Sequence, residues 1–148
     1  MSTYTQLYVQ TVFSVLNREP LLNISWRERL YKYIIAIINN QKHTVLAIGG
    51  TDDHLHIFFR HNLNHRIPDL MRVVKRDSST WIKEERLVKC RFLWQEGYGA
   101  FSYSKSQAEK VINYINNQEQ HHAKQSSYDE YIQLLDSFGI EYDKKYVF

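Results

Sequence analysis

The 148-residue chain is 43% hydrophobic, and its two Pro and five Gly leave no linker, repeat or low-complexity tract, so one domain over residues 1–148 is expected. The lone cysteine, Cys90, excludes an internal disulfide. No apolar run approaches the ~20 residues of a membrane span and the polar start from Met1 to Gln10 lacks the pattern of a signal peptide, so a cytoplasmic protein is expected.

Residues 5–15 alternate apolar and polar around Leu7, Val9, Thr11 and Phe13, the period of a half-buried strand. Asn23 or Ser25 can cap a helix over 25–41, in which Leu30, Ile34, Ile37 and Ile38 recur until Asn39-Asn40 breaks the pattern. Two β-rich runs, 43–48 and 54–60, flank Gly49-Gly50-Thr51-Asp52-Asp53, a sequence suited to a turn. Pro68 opens a second helix through Leu70, Val73, Val74, Trp81 and Ile82, with Ser78-Ser79 as a weak point. Residues 92–95 and 100–103 predict a short hairpin about Glu96-Gly97-Tyr98-Gly99. A helix over 105–122, capped by Ser104 or Ser106, carries Val111, Ile112 and Ile115, and a last one over 128–137 ends before Gly139. This order predicts an α+β fold, a ferredoxin-like antiparallel sheet with helices packed on one of its faces.

Two features offer chemistry. His54 and His56 are two apart on a strand, so their imidazoles point the same way and can present paired nitrogens to a divalent metal; a surface pair on an edge strand is the plainer alternative. Tyr114 and Gln118 are four apart on a helix, which puts a phenol and a carboxamide on one face. Gln118 could add an oxygen ligand and Tyr114 a nucleophile, or Tyr114 could be a core aromatic beside Val111 and Ile115.

His54-Leu55-His56 followed by Tyr114-x-x-x-Gln118 resembles the small single-tyrosine HUH transposases, the IS200/IS605 type and their REP-associated relatives. Further matches are Val12-Phe13-Ser14 with Asn17-Arg18-Glu19, Gly49-Gly50 with Asp53, Lys75 with Ser78-Ser79, the stretch from Trp94 to Ser102, and that from Tyr114 to His122. The resemblance implies a transposase that recognises single-stranded DNA hairpins and cleaves beside them with Mg²⁺ or Mn²⁺. It implies His54, His56 and Gln118 as metal ligands and Tyr114 as the nucleophile that keeps the 5′-phosphate. It also implies a homodimer, in which the tyrosine helix of one subunit could complete the site of the other. Gln10 departs from the histidine many relatives carry there, and His121-His122 has no assigned role beyond complementing a helix dipole. Neither departure is expected to touch the chemistry.

The net charge of +3 and the 11 Tyr suit a polyanionic, base-stacking partner, although core packing explains most single tyrosines. Among the basic residues around the second helix, Arg72, Lys75 and Arg76 are candidate DNA contacts; a solvated helix face is the alternative. Competing readings are a noncatalytic module for single-stranded nucleic acid, a metal hydrolase that survives loss of Tyr114, and an inactive, domesticated transposase.

Overall fold

In the computed structural model, which describes residues 2–147, β1 spans Tyr8–Ser14 and is buried along nearly its whole length. The expected start at residue 5 is corrected to Tyr8, the first residue with strand partners on both sides, Arg60 and Tyr103. Burial on both faces explains why strict alternation fails: Val9, Phe13 and Val15 face one core while Val12 faces another.

α1, Ile24–Asn40, is capped by the Asn23 side chain, which accepts from the Ser25 backbone N–H. It buries Leu30, Ile34 and Ile38 at a spacing of four against the sheet. β2, Thr44–Gly50, and β3, His54–Arg60, form an antiparallel pair, followed by α2, Ile67–Glu84. The expected weak point in α2 is instead a joint. Ser78 Oγ donates to Val74 O at 2.6 Å and accepts from Trp94 Nε1 at 2.9 Å, so the serine is satisfied internally while pinning the next segment to the helix.

β4, Gly99–Tyr103, pairs with the other side of β1, giving the order β2-β3-β1-β4. With α1 after β1 and α2 after β3, this is the ferredoxin-like arrangement. The expected hairpin over 92–103 does not form. Trp94 bridges Val15, Gln95 N donates to Ser14 O at 2.8 Å, and Leu16 N donates to Leu93 O at 2.9 Å. Both halves therefore pair with the β1 line, and residues 96–98 loop out between them.

The long helix expected over 105–122 is divided into a 3₁₀ turn at Lys105–Gln107, α3 at Ala108–Asn116 and α4 at Gln118–His122. The break is Asn117, whose ψ of 24° leaves the helical well. α5, Ser127–Ser137, is capped by Ser126 and followed by Gly139 at φ +64°. α1 and α2 pack on the face carrying Phe13, Leu55 and Ile57, and α3 and α5 on the opposite face at Ala47, Phe58, Val12 and Phe101, so helices cover both faces of the sheet rather than the single face expected. No helix among the described residues is long and apolar enough to cross a membrane.

A histidine cluster ties the chain entering β2 to the loop after β3. Asn62 N donates to His43 Nδ1 at 2.9 Å, so His43 Nε2–H donates to His65 Nδ1 at 2.9 Å, with the His61 ring 5.0 Å away. Burial first, then the His61 and His65 charges, lower the His43 pKa to about 4. Folded His43 is neutral where the unfolded chain takes a proton near pH 6.5, so this stability is full above ~6.5 and is lost as pH falls toward 4. We expect a lower melting temperature at pH 5 than at pH 7, and a smaller difference in His43→Gln.

Candidate active site

β3 lies in the middle of the sheet, and its alternation sends His54 and His56 to the face covered by α3, α4 and α5. His54 is 1% exposed and His56 is fully buried, so they are not the surface pair that an edge strand would carry. Gln118, at the start of α4, is brought beside them, with Oε1 accepting from His54 Nε2 at 3.0 Å. Tyr114 reaches the same place from α3, its ring 5.9 Å from that of His56. The helix break separates the two but does not prevent their convergence.

The centre of the cluster is Glu130 of α5, which is 2% exposed. Its Oε1 accepts from His56 Nε2 at 2.7 Å and lies 3.4 Å from His54 Nε2 and 3.1 Å from His122 Nε2. Its Oε2 accepts from Gln118 Nε2 at 3.1 Å and from the Tyr114 hydroxyl. Burial pushes the Glu130 carboxyl up, but the close imidazoles of His122, His54 and His56 outweigh it and hold the group far below the usual carboxylate range. Tyr114 moves the opposite way: burial and then the Glu130 charge push its phenol well above 10, so it is neutral.

The two histidines differ in protonation. Burial works against a charged His54, yet Asp53 and Glu130 raise it to about 9. Asp53 Oδ1 accepts from His54 Nδ1 at 2.8 Å and is itself held by Thr51 and Ser127. His56 is kept neutral, chiefly by burial. Its Nδ1 accepts from Gln10 Nε2 at 2.8 Å, and Gln10 Oε1 accepts from the Tyr103 hydroxyl at 2.7 Å. The expectation that Gln10 stands outside the chemistry is therefore corrected, because this amide holds the ring of His56 in place.

The same correction applies to His121 and His122. The His121 ring stacks on Tyr114 at 4.6 Å, and the His122 ring lies 4.4 Å from His54. His122 Nε2 is buried without a directional hydrogen bond, although Glu130 is 3.1 Å away. Ligand atoms of His54, His122 and Glu130 lie within 4.8 Å of one another and could hold a metal ion. That orphaned nitrogen, two further imidazoles and the Gln118 and Glu130 oxygens make a donor set that fits a divalent cation. Tyr114, Gln118, His122 and Glu130 meet His54 and His56 of their own chain.

Sequence signals for the missed residues exist. Glu130 falls among the buried stripe positions Ser127, Tyr131 and Leu135 of α5, a carboxylate where an apolar residue belongs, and His122 is four residues beyond Gln118. The candidate DNA residues are elsewhere. Arg72 and Arg76 are exposed and paired with Asp69 and Asp77, whereas Lys75 Nζ is committed to the carbonyls of Gln95, at 2.9 Å, and Gly97. All three line a groove with Trp94 and Tyr98.

α3 sits so close to β2 that a Cβ on Gly49 would overlap the Ile115 carbonyl oxygen. Gly49→Ala is expected to push α3 outward and to cost ~1–3 kcal/mol, read by denaturant unfolding; an unchanged midpoint would mean that this contact is soft.

Residues 3–118 match the family model described as "Transposase IS200 like". A candidate transposase from Deinococcus radiodurans R1 superposes with a TM-score of 0.65 at 19% identity, covering 80% of this chain and 95% of that one. A REP-associated tyrosine transposase bound to a REP hairpin gives a TM-score of 0.62 at 16% identity, covering 82% and 74%. At these identities the solved structures speak to the fold. No curated protein matches in sequence. The matched span ends at Gln118, so His122 and Glu130 lie beyond it.

Proposed function

Because the chain belongs to the IS200-like transposase family, we propose that it cleaves and rejoins single-stranded DNA beside hairpins through a 5′-phosphotyrosine on Tyr114. The observation that carries this reading is the convergence of the Tyr114 hydroxyl on the carboxylate that also joins His54, His56, His122 and Gln118. A tyrosine serving only as core packing has no reason to meet that donor set.

In this reading His54, His56 and Gln118 hold Mg²⁺ or Mn²⁺, with Glu130 and His122 available to complete the set. The bound cation supplies charge neutralisation on the non-bridging phosphate oxygens. Asp53 keeps the proton of His54 on Nδ1, leaving Nε2 as the ligand atom. His56 needs the same tautomer, and Gln10 serves it by turning its amide while Tyr103 rotates its hydroxyl. Tyr114 Oη forms the new bond to phosphorus as the P–O3′ bond breaks, and the phenolic proton leaves along its hydrogen bond to Glu130. The departing 3′ oxygen ends as a hydroxyl, so no proton is consumed overall. Rejoining is the reverse, with a 3′-hydroxyl attacking the phosphotyrosine, and needs no ATP.

Lys110 lies one turn before Tyr114 and lines the same small groove, along with Gln10 and Tyr103, where it can meet phosphate. Arg72 and Arg76 are the contacts assigned to the hairpin, with Lys75 bracing the loop at Gln95 and Gly97 beside them, along the groove that also carries Trp94 and Tyr98. A dimer is part of the proposal for strand exchange between two ends, although Tyr114 can act on its own chain's histidines.

The test is incubation of the protein with Mn²⁺ and labelled single-stranded hairpin DNA from the flanks of its own gene, resolved on a denaturing gel. A protein–DNA adduct that chelator prevents is the expected result. Tight binding without cleavage would instead favour a noncatalytic module.

A further inference from the structure

The sheet face that carries His54 and His56 continues sideways onto β1 and β4. Ser14 is the register partner of His54 on β1, and Gly99 and Phe101 lie on β4. Beyond them, α5 and residues 140–147 fold back and leave a cavity of about 360 Å³. That size is within the range of small-ligand pockets.

Its lining has a consistent chemistry. Tyr98, Phe101, Tyr131 and Tyr142 present aromatic surface. Ser14 also lines it, fully buried, with an Oγ that has no hydrogen-bond partner. A buried hydroxyl left unpaired costs stability unless something else satisfies it. Glu141, Asp143 and Glu96 add carboxylates at the exposed side. Aromatic walls stack on nucleobases, and carboxylates accept hydrogen bonds from exocyclic amines while repelling phosphate. The cavity therefore selects a base rather than the backbone. The neighbouring groove with Arg72 and Arg76 shares its wall from Gln95 to Tyr98, which gives the backbone a cationic path alongside.

We propose that this cavity is a specificity subsite that holds one amino-bearing base, cytosine, adenine or guanine, of the nucleotide flanking the scissile phosphate. It rests on the single-stranded DNA reading above and extends it from strand chemistry to sequence choice. Thymine, which offers a carbonyl where cytosine offers an amine, is disfavoured there.

The experiment is fluorescence anisotropy in chelator with labelled single-stranded homo-oligomers of cytidine, adenosine and thymidine deoxynucleotides, each about 12 nucleotides long. The expected result is binding of the cytidine or adenosine oligomer roughly fivefold or more tighter than thymidine. Ser14→Ala and Glu141→Gln, the latter a surface change that leaves the core untouched, should each reduce that ratio toward one. Equal binding of all three oligomers, or a preference that neither variant alters, would overturn the subsite. Equal binding, or no binding, of the oligomers beside Mn²⁺-dependent adduct formation on the hairpin DNA overturns the subsite alone; absence of the adduct as well overturns the DNA reading with it.

Discussion

Tyr114→Phe is expected to lower strand cleavage by ~10³-fold or more and to abolish the covalent adduct, because phenylalanine keeps the ring but has no atom to bond phosphorus. The ring contacts with His121 and His56 survive the change. Glu130 loses one donor but retains those from Gln118 and the histidines, so the cost in stability should stay below ~1.5 kcal/mol. The decisive result is thus a near-normal melting curve with cleavage gone. Cleavage within tenfold of the wild type would assign the attack to water and make the protein a hydrolase.

The second large effect concerns Glu130. Glu130→Ala removes the carboxylate shared by His54, His56, His122, Tyr114 and Gln118, leaving buried donors unpaired and a protonated His54 with Asp53 as its remaining counter-charge. Breaking a buried charged network from one side costs ~3–5 kcal/mol. For a chain of this size that is a fall in melting temperature of roughly 6–20 °C. Glu130→Gln keeps a carbonyl acceptor without the charge and should fall between. Thermal denaturation in chelator provides the measurement, and a loss below ~1 kcal/mol for the alanine variant would mean that water replaces the carboxylate.

Much of the site is legible in the sequence. The bounds of β3 come directly from His54-Leu55-His56-Ile57-Phe58-Phe59, and the inward pairing of the two histidines comes from strand alternation. The meeting of Tyr114 and Gln118 is also readable, although the helix expected to align them is broken. Local periodicity fails where partners are distant. Glu130 meets His56 across 74 residues, and no short window contains that contact. The segment 92–95 carries strand-forming residues next to a turn, which is the signal of a hairpin. Its hydrogen bonds go instead to residues 14 and 16, and Trp94 is held by Ser78 of α2. The roles of His122 and Gln10 escape a sequence reading because burial depends on what covers them, α5 for one and the Tyr103 hydroxyl for the other.

The interruption at Asn117 matters most once a strand is attached. There the backbone N–H turns to the Asn113 and Tyr114 carbonyls, and the Asn117 side chain donates to Asn113 O at 2.8 Å, closing off α3 just before Gln118 opens α4. On one unbroken rod, a tyrosine moving its cargo toward a second strand would drag Gln118 off His54 each time. Under the proposed phosphotyrosine reading, the break at Asn117 would act as a wrist, letting α3 carry Tyr114 and its strand while α4 keeps Gln118 beside His54.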